Sequence, residues 1–417
     1  MLPTARSHAP DHDLIIPLFD EVRTRTEQLA APLTPEDAML QSMEEASPPK
    51  WHLAHTTWFF EEFVLKPYLP SYQTPDDRFA FLFNSYYVQA GPRHARDKRG
   101  LISRPALREV MSYREHVTEA ISALLCSNRS DRDDIAALVE LGSHHEMQHQ
   151  ELLVTDLLHA LSCNPLLVAY RPPDPVPPAA ETEMGFTHHD GGLVETGHKG
   201  TGFAYDCEQP RHQGFLEPYR LADRPVINRD WIAFIDDGGY TTQTLWLNDG
   251  WAICRKQDWD TPLYWWRQDD EWWSYTLRGA QPVLLDAPVC HVSYYEADAF
   301  ARWAGARLPS EVEWEAAFAD TAIDGNFLES GALRPRPEGG AWGDIWEWTK
   351  SPFTSYPGFR PPEGAIGEYN GKFMINQMVL RGGSCATPVR QMRPSYRNFF
   401  YPQHRWQMMG LRLAQNA

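Results

Sequence analysis

The run His144-His145-Glu146-Met147-Gln148-His149-Gln150-Glu151 constrains this chain more than any other segment. It lies within a long helical pattern. Ile135, Leu138, Leu141, Leu152, Leu153, Leu157 and Leu158 recur at helical spacing, and neither Pro nor Gly interrupts Ser143 to Cys163. On a helix, His145 and His149 stand one turn apart on one face, where two imidazoles can share a metal ion. Imidazole suits Zn, Fe, Cu and Ni alike. A bare His pair at this interval is more often a packing feature, but His-Glu-x-x-His is also the zinc-protease pattern, with the Glu as general base. Three imidazoles, or two plus a carboxylate, suit an iron oxygenase equally well. The helix alone leaves that choice open.

The chain has 417 residues, enough for two domains. Its formal net charge of −18 argues against nucleic acid or an anionic membrane surface as partner. With 16 Trp, 17 Tyr and 19 Phe, it suits loop-rich packing and pockets for flat or cationic ligands. The six cysteines form no CxxC and no regular framework, so a reducing compartment, the cytoplasm, is expected. Residues 1–20 carry no signal-peptide pattern, and no apolar run is long enough for a transmembrane helix.

The first part reads as helices. Leu14 to Leu29 is amphipathic, Thr34-Pro35-Glu36-Asp37 looks like a helix start, and Trp51 to Leu65 is apolar and aromatic. Arg104-Pro105 opens a further helix to Leu125, and Asp133 to Leu161 carries the histidines, with Gly142 its weak point. Four helices with short connections imply an antiparallel bundle, whose interior is where facing side chains build metal sites. Six prolines between Pro165 and Pro178 then mark a stiff linker. Beyond it the chain is rich in Gly, Trp and short strand-like runs such as Met378-Val379-Leu380-Arg381 and Gly410-Leu411-Arg412-Leu413-Ala414. Helices are expected from Tyr294 to Ala304 and from Ser310, where Ser310 and Glu313 form a capping box. The expected division is a helical bundle at 1–163, a linker at 164–185 and an irregular α+β domain at 186–417.

A third ligand is sought in the bundle. His52 and His55 both lie in Trp51-His52-Leu53-Ala54-His55, and His55 is a plausible third imidazole. Glu146, Glu151 and Glu61 are alternative ligands, or acceptors that fix the imidazole tautomers. Asn84-Ser85-Tyr86-Tyr87, followed by Gly91-Pro92-Arg93-His94-Ala95-Arg96, reads as an ordinary surface loop. It reads equally as a substrate loop, with Tyr as proton donor and Arg93 and Arg96 as carboxylate binders.

These motifs together resemble the hercynine sulfoxide synthases of ergothioneine biosynthesis. The likeness rests on Trp51-His52-Leu53-Ala54-His55, Asn84-Ser85-Tyr86-Tyr87 with Gly-Pro-Arg-His, and His145 to Glu151. Three downstream segments resemble the formylglycine-generating-enzyme fold, a C-type-lectin-like α+β domain. They are Arg307 to Glu315, Gly343-Asp344-Ile345-Trp346-Glu347-Trp348-Thr349 and Leu380-Arg381-Gly382-Gly383-Ser384-Cys385. Arg397 to Pro402 and Gly410 to Leu413 complete a likeness that runs from about residue 15 to the end.

The resemblance implies a DinB-like four-helix bundle joined to a formylglycine-generating-enzyme-like domain. It implies an iron(II) site on His55, His145 and His149. Gln148 and Asn398 fall on hercynine-binding residues, and Tyr86 and Tyr87 on a tyrosine pair of which one acts as the acid. Arg93 and Arg96 fall where the donor's carboxylate is held. Phe399, Phe400, Gln403 and His404 are candidates for residues around the donor. The family reaction uses O2 to join a thiol, from cysteine or γ-glutamylcysteine, to C2 of the hercynine imidazole as a sulfoxide. Selenoneine synthases, which use a selenosugar, share these motifs. The formylglycine enzyme needs a cysteine pair, and Cys385 has no second cysteine near it in sequence, so that chemistry is not expected. A zinc hydrolase with Glu146 as base, and a lectin-like binding module, are the alternatives from other classes.

Overall fold

The computed structural model describes residues 11–175, 183–337, 339–362, 367 and 370–417. Residues 176–182 of the expected linker lie outside the described residues. The chain divides into two compact units. One holds residues 1–163 with the later segments Gly200–Asp206 and Arg360–Lys372; the other holds Asn164–Lys199, Cys207–Phe359 and Phe373–Ala417.

Four long helices build the first unit: α1 (His12–Ala30), α2 (Pro49–Phe60), α3 (Leu107–Leu125) and α4 (Arg132–Ser162). Ile15, Phe19, Val22, Thr26 and Leu29 give α1 one buried stripe, as its amphipathic spacing predicts. α2 is buried along its whole length and passes into a single π-helical turn, Glu61–Leu65. Such turns in an α-helix often accompany functional sites. Thr34 and Asp37 do exchange capping hydrogen bonds, but only a three-residue 3-10 turn, Asp37–Met39, follows. The helix after Arg104-Pro105 begins at Leu107.

The bundle is not a simple antiparallel one. His12 meets Asp133, Arg23 meets Glu146 and Thr26 meets Gln150, so α1 and α4 run parallel. Phe59 packs on His145 and His52 reaches Asp156, so α2 and α4 run antiparallel. Lys50 reaches the Pro105 carbonyl and Tyr113 reaches Glu61, so α2 and α3 run parallel. A parallel pair forces the chain to travel back along the bundle. The long connection between α2 and α3 does this, and it carries Tyr86, Tyr87, Arg93 and Arg96.

Gly142 is a close-approach position rather than a weak point. A Cβ there would stand 2.4 Å from Phe60 Cε1, so the missing side chain lets α2 and α4 meet.

The second unit is an irregular α+β domain. β1 (Phe186–His189), β4 (Tyr219–Ala222) and β12 (Ala414–Asn416) make one antiparallel sheet; β2 (Gly192–Thr196) and β3 (His212–Leu216) make a hairpin. β5 (Trp265–Gln268), β6 (Glu271–Thr276) and β7 (Gly279–Pro282) form a meander. The central sheet runs in the order β10 (Asn398–Phe400), β9 (Met378–Arg381), β8 (Trp346–Pro352), β11 (Met409–Gly410). The helix Glu311–Phe318 opens on the expected Ser310–Glu313 capping box, and a second box, Ser293–Glu296, opens Tyr294–Trp303. The strand-like run from Gly410 to Ala414 is split between β11 and β12. Gly410 backs onto the Val289 carbonyl and Arg412 turns its guanidinium onto Glu347 inside the domain.

Candidate metal centre

α2 and α4 bring three imidazoles together. One nitrogen each from His55, His145 and His149 lies within 4.8 Å of the others, and all three side chains are buried. The ring centroids stand 5.0 Å (His55–His145), 4.7 Å (His55–His149) and 4.6 Å (His145–His149) apart, with the planes steeply inclined. Among the described residues this is the one cluster of this kind. Burial, aided in each case by neighbouring imidazoles, holds all three far below the ordinary histidine pKa, His145 at about 3 despite the opposing Glu146 charge. Neutral rings keep the lone pairs a metal ion needs.

The donor set fits a divalent transition metal. His55 Nδ1 donates to the Phe83 carbonyl at 2.6 Å, which leaves Nε2 as its lone-pair atom. That Nε2 is buried without a hydrogen-bond partner, a cost a metal bond would remove. The His55 ring is held between Trp51, stacked at 4.5 Å and 11°, and Trp58 at 5.6 Å and 19°. On Trp51 lies the Arg99 guanidinium, 3.4 Å from the ring centroid. Arg99 is buried and donates to Ser47 and Ser85. The sequence reading passes over it, because its place under Trp51 depends on the long α2–α3 connection.

His52 is no member of the triad. Its Nδ1 lies 2.8 Å from His149 Nδ1, and its Nε2 lies 3.2 Å from Asp156 Oδ2. Asp156 carries no motif of its own in the sequence. The available signal is its position seven residues after His149, two turns along the same helix face.

The carboxylates weighed as ligands or bases are committed elsewhere. Glu146 accepts from Arg114 at 2.7 Å and from Arg23 at 2.9 Å, one arginine to each oxygen. Burial alone would raise its carboxyl, but Arg114 and Arg23 outweigh burial and hold it at about 2. A carboxylate so engaged cannot take a proton from a metal-bound water, which removes the base a zinc hydrolase needs. Glu61 accepts from Tyr72, Thr74 and Tyr113. Glu151 is buried on α4 outside the triad.

Tyr86 and Tyr87 stack at 4.5 Å, with their hydroxyls 3.4 Å apart. Tyr87 is fully buried and packs on Trp58, Phe59 and Phe63. Trp58 in turn touches His55, and Phe59 touches His145 at 4.7 Å. Lys372, from a later segment of the same unit, donates to the Tyr86 carbonyl and lies 4.8 Å over its ring. Gln148 is half-buried on α4, three residues after His145 and so on the same face. Arg93 and Arg96 are exposed; Arg96 donates to the Glu45 carbonyl, and Arg93 has no hydrogen bond or ion pair among the described residues.

The remaining candidates lie in the second unit. Asn398 opens β10 opposite Leu380, and its Oδ1 accepts from the Phe399 N–H. Phe399 stacks on Phe353 at 4.0 Å, and His404 packs on Trp406 at 4.5 Å and Phe400 at 6.1 Å. Gln403 is half-buried.

Residues 18–153 match the DinB superfamily, and residues 174–341 and 339–417 match the sulfatase-modifying factor enzyme 1-like domain. The chain is 32% identical over 403 residues to a hercynine oxygenase of Mycolicibacterium thermoresistibile, covering 88% of this chain and 87% of that protein. It is 38% identical over 239 residues to a hercynine oxygenase of Mycobacterium tuberculosis, covering 50% and 55%. It is 26% identical over 233 residues to ergothioneine biosynthesis protein 1 of Schizosaccharomyces pombe, covering 51% and 28%.

Proposed function

Because this chain belongs to the hercynine oxygenase family, with a DinB-type bundle and a sulfatase-modifying-factor-type domain, we propose that it is an iron(II)- and O2-dependent oxygenase of ergothioneine biosynthesis. It joins the sulfur of cysteine or γ-glutamylcysteine to C2 of the hercynine imidazole and oxidises that sulfur to a sulfoxide. The observation that carries the reading is the buried His55–His145–His149 triad in a chain of this family.

Iron(II), bound by the three imidazoles, supplies the activation of O2 that the reaction requires. The balance closes on O2. The new C–S bond releases one hydrogen from hercynine C2 and one from the thiol. One oxygen atom enters the sulfoxide, and the other leaves as water with those two hydrogens.

The chain's own residues bind, orient and move protons. Tyr86 or Tyr87 is assigned as the acid, and their stacking within an aromatic wall that touches two of the three imidazoles supports this. Gln148, on the triad's face of α4, is assigned to hercynine. Arg93 and Arg96 are assigned to the donor carboxylate, and the free guanidinium of Arg93 favours this. Roles for Asn398, Phe399, Phe400 and His404 rest on the family resemblance. Six cysteines with no CxxC and no regular framework support a reducing cytoplasmic setting, and no helix among the described residues is long and apolar enough to cross a membrane.

The test is a competition. The protein is loaded anaerobically with Fe(II), given hercynine and O2, and offered cysteine, γ-glutamylcysteine and a selenosugar together. Mass spectrometry reads the adduct. A sulfoxide is expected and names the donor. A seleno-adduct moves the protein to the selenoneine reaction. No adduct from iron-loaded protein overturns the substrate assignment.

A further inference from the structure

Behind the triad lies a chain of buried polar groups with no assigned role. Asp156 is 4% exposed and His52 is 2% exposed. The Ser47 backbone N–H donates to Asp156 Oδ2 at 2.8 Å and pins the carboxylate. The same oxygen lies 3.2 Å from His52 Nε2, and His52 Nδ1 lies 2.8 Å from His149 Nδ1. The two imidazoles are 97 residues apart in sequence, one on α2 and the other on α4.

Hydrogen-bond logic assigns every proton. A carboxylate only accepts, so His52 Nε2 carries the ring hydrogen. A neutral His52 then offers a lone pair at Nδ1. Two lone pairs cannot face each other at 2.8 Å, so His149 Nδ1 carries the second hydrogen and donates it. His149 is left with its lone pair on Nε2 alone, as His55 is by its bond to the Phe83 carbonyl. The two supports differ in kind. His55 leans on a neutral carbonyl, whereas His149 leans through a second imidazole on a charge.

We propose that His52 and Asp156 are positioning residues of the metal centre: they fix the tautomer and ring orientation of His149 and, by polarising its Nδ1–H bond, make its Nε2 a stronger donor to the metal. The inference rests on the metal-centre reading above. Partners of this kind typically contribute 10–100-fold in metal affinity. Pure packing predicts a different outcome, because a ring of similar size without an acceptor would then serve as well as His52.

The test compares His52→Phe, His52→Gln and Asp156→Asn with the full chain, using Co(II) as probe. Affinity is read by chelator competition. The exchangeable, paramagnetically shifted N–H resonances of bound imidazoles are read by NMR. In His52→Phe, affinity should fall roughly 10–100-fold. The His149 N–H resonance should be lost to solvent exchange while that of His55 persists. His52→Gln, whose amide oxygen can accept the same hydrogen, should restore the resonance and much of the affinity. Asp156→Asn keeps an acceptor but removes the charge, so the His149 resonance should survive and move. Should His52→Phe fail to fold, the two milder variants still decide the matter. Wild-type affinity with an unmoved His149 resonance in either His52→Phe or Asp156→Asn overturns the relay. A different result overturns the metal centre itself: wild-type protein that takes up no Co(II), or a His145→Ala variant that takes it up as well as wild type.

Discussion

Arg114 donates to Glu146 across 2.7 Å at a point in the bundle where neither side chain has any exposed surface. Arg23, itself 2% exposed, takes the other carboxylate oxygen, so two buried cations share one buried anion. Removing one partner of such a network leaves charge uncompensated in a low dielectric, at a cost of about 3–5 kcal/mol. Glu146→Gln should therefore lower unfolding stability by about that amount, measured by urea denaturation, while the folded fraction still binds one metal ion. Unchanged stability with lost turnover would restore Glu146 as a catalytic base.

Gly142 should tolerate no side chain. The Cβ of Gly142→Ala would meet Phe60 at 2.4 Å, and overpacking of this kind costs about 1–3 kcal/mol. Because Phe60 lies five residues after His55, the variant should also lower metal affinity. Gly142→Ala combined with Phe60→Leu should recover part of both losses. Wild-type melting in the single variant would mean that the helices separate freely.

Tyr87→Phe and Tyr86→Phe separate the acid role from packing. A positioned general acid contributes about 10²–10⁴-fold in rate. One of the two variants should slow adduct formation on that scale or divert oxygen to the donor sulfur, read by mass spectrometry of both products. Wild-type rate and product in both variants would end the assignment.

Arg93→Ala should weaken a carboxylate-bearing donor by about 1–3 kcal/mol, the scale of one charged hydrogen bond. Donor affinity is measurable by isothermal titration with the Co(II) protein. An unchanged Kd would remove Arg93 from the donor site, and Arg99 would become the next arginine to test.

The second unit carries a pH signature of its own. Burial pushes His291 down to about 4, against opposing hydrogen bonds to Gln407 and Trp406, with Arg405 adding slightly to the depression. The unfolded ring takes up its proton near 6.5, while the folded ring refuses it until about 4. Stability is therefore complete above 6.5 and declines as pH falls toward 4, by about 3 kcal/mol in all. His291→Asn suits the backbone, whose φ is 64° there, and should flatten that limb of the stability–pH profile. An equally steep limb in the variant would assign the loss to other groups.

Local spacing made much of the bundle legible. An interval of four on an uninterrupted helix already puts His145 and His149 on one face, and the alternation of α1 already marks its buried stripe, because both follow from 3.6 residues per turn. The Ser310–Glu313 box is equally local, since a cap joins groups three residues apart. Spacing could not order the helices. The parallel courses of α1 with α4 and of α2 with α3 depend on a long connection whose path is set by packing. It could not tell the parts played by His52 and His55 either. They lie three residues apart on one buried helix, and only the approach of α4 turns one toward His145 and the other toward Asp156. Glu146 carries the same lesson, because its two arginines come from α1 and α3. A helix's faces are determined within a few residues of chain. What each face meets is decided by whichever distant segments the fold brings against it.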